Sequence, residues 1–262
     1  MKFVYASIFT ATCLMIGCVS SNQAGRTQLN LVSDEQMNAE GDAAYKDILS
    51  KSKISQKTKL NSEVVNIGRK IAAASGVDYA WEFSVIDEDQ VNAFCLPGGK
   101  VAVYTGIIPV AQNNAALAAV MGHEVAHAVL KHSAERASQQ MVLGLGASVV
   151  GGLFGNDQTR DTIAAVMGVG VMYGVSLPFS RYHEAEADRI GLEYMAKAGY
   201  DPRESVTLWE RMGAQGGGRS LEILSTHPDP ASRAKALSKL LPKAMATYNA
   251  STKVATTALP SS

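Results

Sequence analysis

His123 and His127 stand four residues apart, with Glu124 between them, inside an otherwise apolar run from Ala115 to Leu130. Such a run folds as a helix that Asn113 or Asn114 caps, and it extends to about Lys131. Positions i and i+4 share one helical face, so the two imidazoles point at one place and can serve a single metal ion. Glu124, one position on from His123, is not a ligand by that geometry. It sits where it can accept a proton from a water that the ion activates.

A catalytic zinc takes three protein ligands and keeps one position open. The best source of the third is His183-Glu184-Ala185-Glu186-Ala187-Asp188. Glu184 and Asp188 are again i and i+4, whereas Glu186 is turned well away. Glu184 therefore reaches the metal, and Asp188, one turn on, accepts a hydrogen bond from a ligand imidazole and fixes its tautomer.

Around this centre the chain of 262 residues reads as one predominantly helical α+β domain. Ser33 with Gln36 makes a capping box for a first helix, and Leu60, Val64, Ile67 and Ile71 line one face of a second, from about Gln56 to Ser75. Trp81 to Asp87 alternates like a half-buried strand. Asn92 to Leu96 and Val101 to Tyr104 flank a Pro97-Gly98-Gly99 turn, giving a small sheet with an edge left open for an extended peptide. Two Gly-rich apolar stretches, Met141 to Phe154 and Ile163 to Phe179, read as core helices packed through small residues, with a membrane- or partner-facing hairpin as the other reading. Further helices are expected over Arg181 to Ala198, from Asp201 to about Ala214 and over Arg233 to Leu240, with a flexible Gly216-Gly217-Gly218 between the last two. Residues 33–241 form the domain, and the Ala-, Thr- and Ser-rich segment 242–262 is expected to be disordered.

The first residues read as an export signal. Lys2 precedes an apolar stretch, Phe3 to Gly17, that is too short to span a bilayer. Its end, Leu14-Met15-Ile16-Gly17-Cys18, resembles a bacterial lipoprotein box, which implies cleavage after residue 17 and lipidation of Cys18. No Asp follows Cys18, a pattern that in enteric bacteria implies the outer membrane. Acyl chains then hold the protein at the bilayer surface without a spanning helix. Residues 18–32 become a lipid-anchored linker, polar over Ser20 to Asn30. Of the three cysteines only Cys95 stays in the body of the domain, read as a small buried hydrophobe. Lys plus Arg and Asp plus Glu are both 24, so no bulk charge argues for nucleic acid.

His123-Glu124-Val125-Ala126-His127 is the H-E-x-x-H pattern of zinc peptidases. With Asn92 to Ile108, Ser180 to Gly191 and His227 to Arg233, the chain resembles the HtpX-like zinc metallopeptidases, which include the CAAX prenyl proteases, and is most similar to their bacterial periplasmic lipoprotein members. The resemblance implies a zincin-like domain with one Zn2+ per chain and Glu184 as its third ligand. It also implies that His227, of a His-Pro pair, stabilises an oxyanion, and that Asn92-Ala93-Phe94 is an edge strand for substrate backbone. Asp229 stands where some members have a second proline.

The expectation is a zinc-dependent endopeptidase, anchored in the outer membrane and facing the periplasm, that cleaves misfolded envelope proteins. His123, His127 and Glu184 hold the metal and Glu124 is the general base. A zinc-containing chaperone or adaptor for the outer-membrane assembly machinery competes with it, as does an enzyme kept latent by His183 or a loop at the fourth zinc position. His132, nine positions beyond His123, falls on the opposite helical face and is not read as a ligand, and His183 reads as a surface residue or as one that backs a ligand. Arg233 reads as a structural ion-pair partner.

Overall fold

The computed structural model describes residues 18–21, 23, 25–148, 180–214, 222–227 and 229–260. The expected signal peptide, the apolar stretches beyond Ser148, the triple glycine and Pro228 lie outside the described residues.

A hairpin of β1 (Cys18–Ser21) and β2 (Arg26–Leu29) comes first, followed by α1 (Asp34–Lys51) and α2 (Thr58–Ser75). Ser33 Oγ accepts from the Gln36 N–H at 3.2 Å, so the capping box is formed on its Ser side. Leu60, Val64, Ile67 and Ile71 are fully buried on one face of α2.

The sheet has three strands in the order β3-β5-β4, from β3 (Glu82–Ile86), β4 (Ala93–Leu96) and β5 (Lys100–Tyr104). β4 and β5 are antiparallel across the Pro97-Gly98-Gly99 turn, while β3 runs parallel to β5. All of β5 is buried, which is why it reads as a continuous apolar run. Its two faces serve two cores. Val101 and Val103 join Val85, Ala93 and the helices of the large core, whereas Ala102 and Tyr104 pack with Ile86, Leu96, Met37, Tyr45 and Ile48 of α1. β4 is an edge strand, as expected.

After a 3-10 turn (Thr105–Ile107) and the short α3 (Ile108–Ala111) comes α4 (Asn114–Val129), in which every residue is buried. Then follow α5 (His132–Ser148), α6 (Arg181–Lys197), α7 (Arg203–Ala214), α8 (Glu222–Thr226) and α9 (Pro230–Ala250). α4 packs on α2, α6, α7 and β4, and α9 closes the bundle over α6 and α7. No helix among the described residues is long and apolar enough to cross a membrane.

Both ends of the domain differ from the expectation. The segment read as a polar linker is a paired hairpin. Arg26 reaches two carboxylates, and Gln28 Nε2 donates to the Leu130 carbonyl at 2.7 Å. Those long-range partners outweigh the low apolar content. The segment read as disordered continues α9 through Pro242 to Ala250, because Leu237, Leu240, Ala244 and Tyr248 keep one stripe against the core. The chain beyond is strapped down. The Val254 N–H donates to Gly199 O at 2.8 Å, the Leu259 N–H donates to Gln112 O at 3.0 Å, and Asn114 bonds Ala255 and Thr257. Satisfied backbone groups, with Val254 and Leu259 half-buried against the core, order a stretch whose composition reads as disordered.

Candidate metal centre

α4 carries His123, Glu124 and His127 in the middle of the fold. Asn113 caps the helix, its Oδ1 accepting from the Ala116 N–H at 2.8 Å. α6 runs alongside and brings Glu184 and Asp188 on the face inferred from their spacing, with Ser180 Oγ accepting from the His183 N–H at its start. His227 follows α8. The six side chains are each 2–6% exposed.

Four donor atoms converge here, on His123, His127, Glu184 and His227. His123 Nε2 lies 3.1 Å from His127 Nε2 and 3.3 Å from His227 Nδ1. Glu184 Oε1 lies 2.9 Å from His227 Nδ1 and 3.4 Å from His127 Nε2, and its Oε2 is 3.5 Å from His123 Nε2. A tetrahedron whose corners lie about 2.0 Å from a central zinc has edges of roughly 3.3 Å, so the spacing and the N/O donor set fit that ion. Two buried carboxylate oxygens, Glu184 Oε2 and Glu124 Oε1, accept no hydrogen bond. Unsatisfied buried acceptors facing one cluster are what a bound cation or a water would complete.

The surroundings set the charge state of each group. Burial pushes Glu184 up, but His227, His123 and His127 outweigh it and hold the carboxyl far below its ordinary range. Burial holds His127 well below an ordinary imidazole, neutral as a ligand must be. Burial raises Glu124, with the neighbouring imidazoles acting against it. Asp188 Oδ1 lies 3.0 Å from His123 Nδ1, the expected support for that ring. Arg233 grips Asp188 (Nε to Oδ2 2.9 Å), brings its Nη1 3.1 Å from Glu184 Oε2, and stacks on Trp209 with 3.5 Å between Cζ and the ring centroid. It is the ion-pair partner that the sequence suggested, and it is wholly inside the site.

His227 differs from its expected place. Its Nδ1 occupies the fourth corner, where water must come for hydrolysis, and its Nε2 lies 3.4 Å from Glu124 Oε1. The loop residue, not His183, takes that position. At the sheet edge, Asn92 is buried and its Oδ1 accepts from the Ala93 N–H at 2.9 Å, so one donor of β4 is already taken by its neighbour. Phe94 packs edge-on against Tyr104. Cys95 is half-buried, and burial, then the Glu124 carboxylate, push its thiol well up, away from a nucleophilic thiolate.

Two histidines lie elsewhere than their spacing implied. The helix breaks at Leu130 and Lys131, the latter with φ of 56°, and α5 restarts at His132. The helical-face reading of His132 therefore fails, and its Nδ1 sits 3.0 Å from His127 Nδ1. His183 is buried and not on the surface. It stacks on His132 with centroids 4.4 Å apart, and its Nε2 lies 3.0 Å from Glu135 Oε2. Arg26, Glu135 and Glu186, which complete this second cluster, carry no local motif. Arg26 lies more than 100 residues along the chain from each of the two carboxylates.

The known proteins agree with this geometry. The profile of "Peptidase family M48" matches residues 58–241. The chain is 36% identical over 227 residues to the mitochondrial metalloendopeptidase OMA1 of Schizosaccharomyces pombe, a match covering 84% of this chain and 66% of the relative. It is 30% identical over 239 residues to the mitochondrial metalloendopeptidase OMA1 of Homo sapiens, covering 84% and 45%. It is also 32% identical over 173 residues to the beta-barrel assembly-enhancing protease of Escherichia coli K12, covering 63% and 35%. The match thus spans from about a third to just under two thirds of these relatives' own lengths. With a family match over most of the chain and a donor cluster that fits zinc, the chain belongs to peptidase family M48, a family of zinc metallopeptidases.

Proposed function

We propose that this chain is a zinc-dependent endopeptidase that cleaves internal bonds of protein substrates. The observation that carries the reading is the meeting of four ligand atoms beside a buried Glu124 oxygen that accepts no hydrogen bond. When bound, zinc supplies a Lewis acid that makes water nucleophilic near neutral pH and polarises a carbonyl. His123, His127 and Glu184 hold it, and Asp188, itself held by Arg233, orients the His123 ring. Glu124 Oε1 takes the proton of the attacking water and returns it to the leaving amine. The His227 imidazole turns out of the fourth corner to admit water, and from that side it stabilises the developing oxyanion. β4 offers its backbone to an extended substrate.

Lys2, the apolar residues 3–17 and Cys18 support export, acylation and an outer-membrane site facing the periplasm. The family resemblance suggests misfolded envelope proteins as substrates, and the Escherichia coli relative, named a beta-barrel assembly-enhancing protease, supports a role in β-barrel assembly, whereas the OMA1 relatives are named mitochondrial. That same name favours a second reading, a zinc-containing chaperone or adaptor for outer-membrane assembly. Glu124→Gln decides between them: it keeps zinc and loses hydrolysis of casein if the chain is a peptidase. A variant that still cleaves casein refutes the role of Glu124, and one that rescues a deletion strain as well as wild type assigns the function to binding.

A further inference from the structure

A ligand imidazole has two nitrogens, and the one facing away from the ion decides whether the other offers its lone pair. For His127 the ligand atom is Nε2, which lies 3.1 Å from His123 Nε2 and 3.4 Å from Glu184 Oε1. Its Nδ1 lies 3.0 Å from the Nδ1 of a second histidine, His132. Two imidazole nitrogens at that distance need one proton between them. With the Nε2 lone pair directed at the ion, a neutral His127 carries its proton on Nδ1 and donates it to His132.

His132 must then accept at Nδ1 and carry its own proton on Nε2. That nitrogen lies 3.3 Å from Glu186 Oε2. Glu186 is kept an acceptor by Arg26, whose guanidinium is always charged: Nε is 3.0 Å from both carboxylate oxygens and Nη2 is 2.8 Å from Oε2. Arg26 also bonds Glu135 at 2.7 and 2.6 Å, which fixes the guanidinium in turn. His183 stacks on the His132 ring and limits its rotation. His132 is fully buried, and Glu186 and Glu135 are nearly so. The orientation of each hydrogen bond is therefore set from the arginine inwards.

We infer that His132, Glu186 and Arg26 are positioning residues for the ligand His127, a relay that fixes its tautomer so that Nε2 faces the metal. The relay rests on the zinc reading above and deepens it. It performs for His127 what Asp188 performs for His123, but with components drawn from α5, α6 and β2. The N-terminal hairpin thereby becomes part of the metal centre and ceases to be a tether.

The test uses the full chain loaded with zinc. Long-range proton–nitrogen correlation of the histidine rings reads the tautomers, and competition with a chromogenic chelator reads zinc affinity. In the wild type, His127 carries its proton on Nδ1 and His132 on Nε2. His132→Phe fills the same space without an acceptor and loses ~10–100-fold in zinc affinity, the usual cost of removing an outer-shell partner. His132→Gln, whose amide accepts from His127 and donates to Glu186, recovers most of it. Thermal melts of the zinc-free proteins show that each variant folds. If His132→Phe does not, Arg26→Gln decides, with a smaller loss in the same direction. Wild-type affinity in the folded variant, or a proton on His127 Nε2, overturns the relay while leaving the zinc site standing. A wild type that takes up no zinc overturns both.

Discussion

Gly122 on α4 and Gly191 on α6 meet backbone to backbone. A Cβ at Gly122 would stand 2.8 Å from the Gly191 carbonyl oxygen, and one at Gly191 would stand 2.7 Å from Gly122 C and His123 N. No L side chain fits either place. The contact lies one residue from His123 and three from Asp188, so it sets the distance between the two helices that carry the donor atoms.

Gly191→Ala therefore forces backbone against backbone, with no flexible side chain to yield. Overpacking of this kind costs about 1–3 kcal/mol, and the added spacing separates Glu184 and Asp188 from the histidines. A lower midpoint in urea and a weaker zinc affinity, measured together, are the expected outcome. Loss of stability with unchanged affinity would show that the helix spacing does not set the site.

The hairpin's arginine makes acid sensitivity specific. Burial pushes the Glu135 carboxyl up, but hydrogen bonds from His183 and Arg26 outweigh it and bring it down to about 2 from an ordinary 4.5. A carboxyl lowered in the folded state stabilises the fold fully above its unfolded value, and the contribution is lost as pH falls from about 4.5 through about 2. Glu135→Gln should flatten the fall in unfolding free energy across that window and lower stability at pH 7. A variant that follows the wild-type curve at every pH would remove Glu135 from the account.

His227 Nδ1 lies among the other three donor atoms, at the corner that a water or an inhibitor would need. His227→Ala leaves three ligands and an accessible position, so zinc affinity falls. A hydroxamate, which needs room for two oxygens at the ion, binds at least about tenfold tighter, a change of roughly 1.4 kcal/mol. Calorimetric titration of the zinc-loaded variant reads this. Equal hydroxamate affinity in variant and wild type would place His227 away from that corner.

One buried side chain, Asn114, makes three of the hydrogen bonds that hold the strap after α9. Asn114 Nδ2 donates to Ala255 O and Thr257 Oγ1, and Asn114 Oδ1 accepts from the Thr257 N–H. Asn114→Ala leaves those groups unpaired, at a cost of about 1–3 kcal/mol. Hydrogen exchange should show the Thr257 amide losing its protection while the middle of α4 keeps its own.

Where periodicity and capping act locally, the sequence was a sufficient guide. The faces of α2 and α4, the caps at Ser33 and Asn113, the β4–β5 turn and the pairing of Glu184 with Asp188 all follow from spacings of two, three or four residues. The end of α4 near Lys131 was legible too, but not the restart of α5 at His132, because a left-handed lysine has no signature of its own. That single dihedral moves His132 from the far face to the back of His127. Arg26, Glu135 and Glu186 were likewise illegible, since a hairpin with few apolar residues gives no sign that its arginine will find two buried carboxylates. The ordered chain end was hidden for a related reason: its anchors are backbone hydrogen bonds, which leave no mark in composition.

The central claim is that three imidazoles and one carboxylate surround a single zinc ion. X-ray absorption at the zinc edge of the zinc-loaded chain measures that shell directly. The account predicts four N/O donors at about 2.0 Å, with scattering from three imidazole rings in the wild type and two in His227→Ala. A sulfur shell, a six-oxygen shell, or an imidazole count unchanged by the substitution would contradict it.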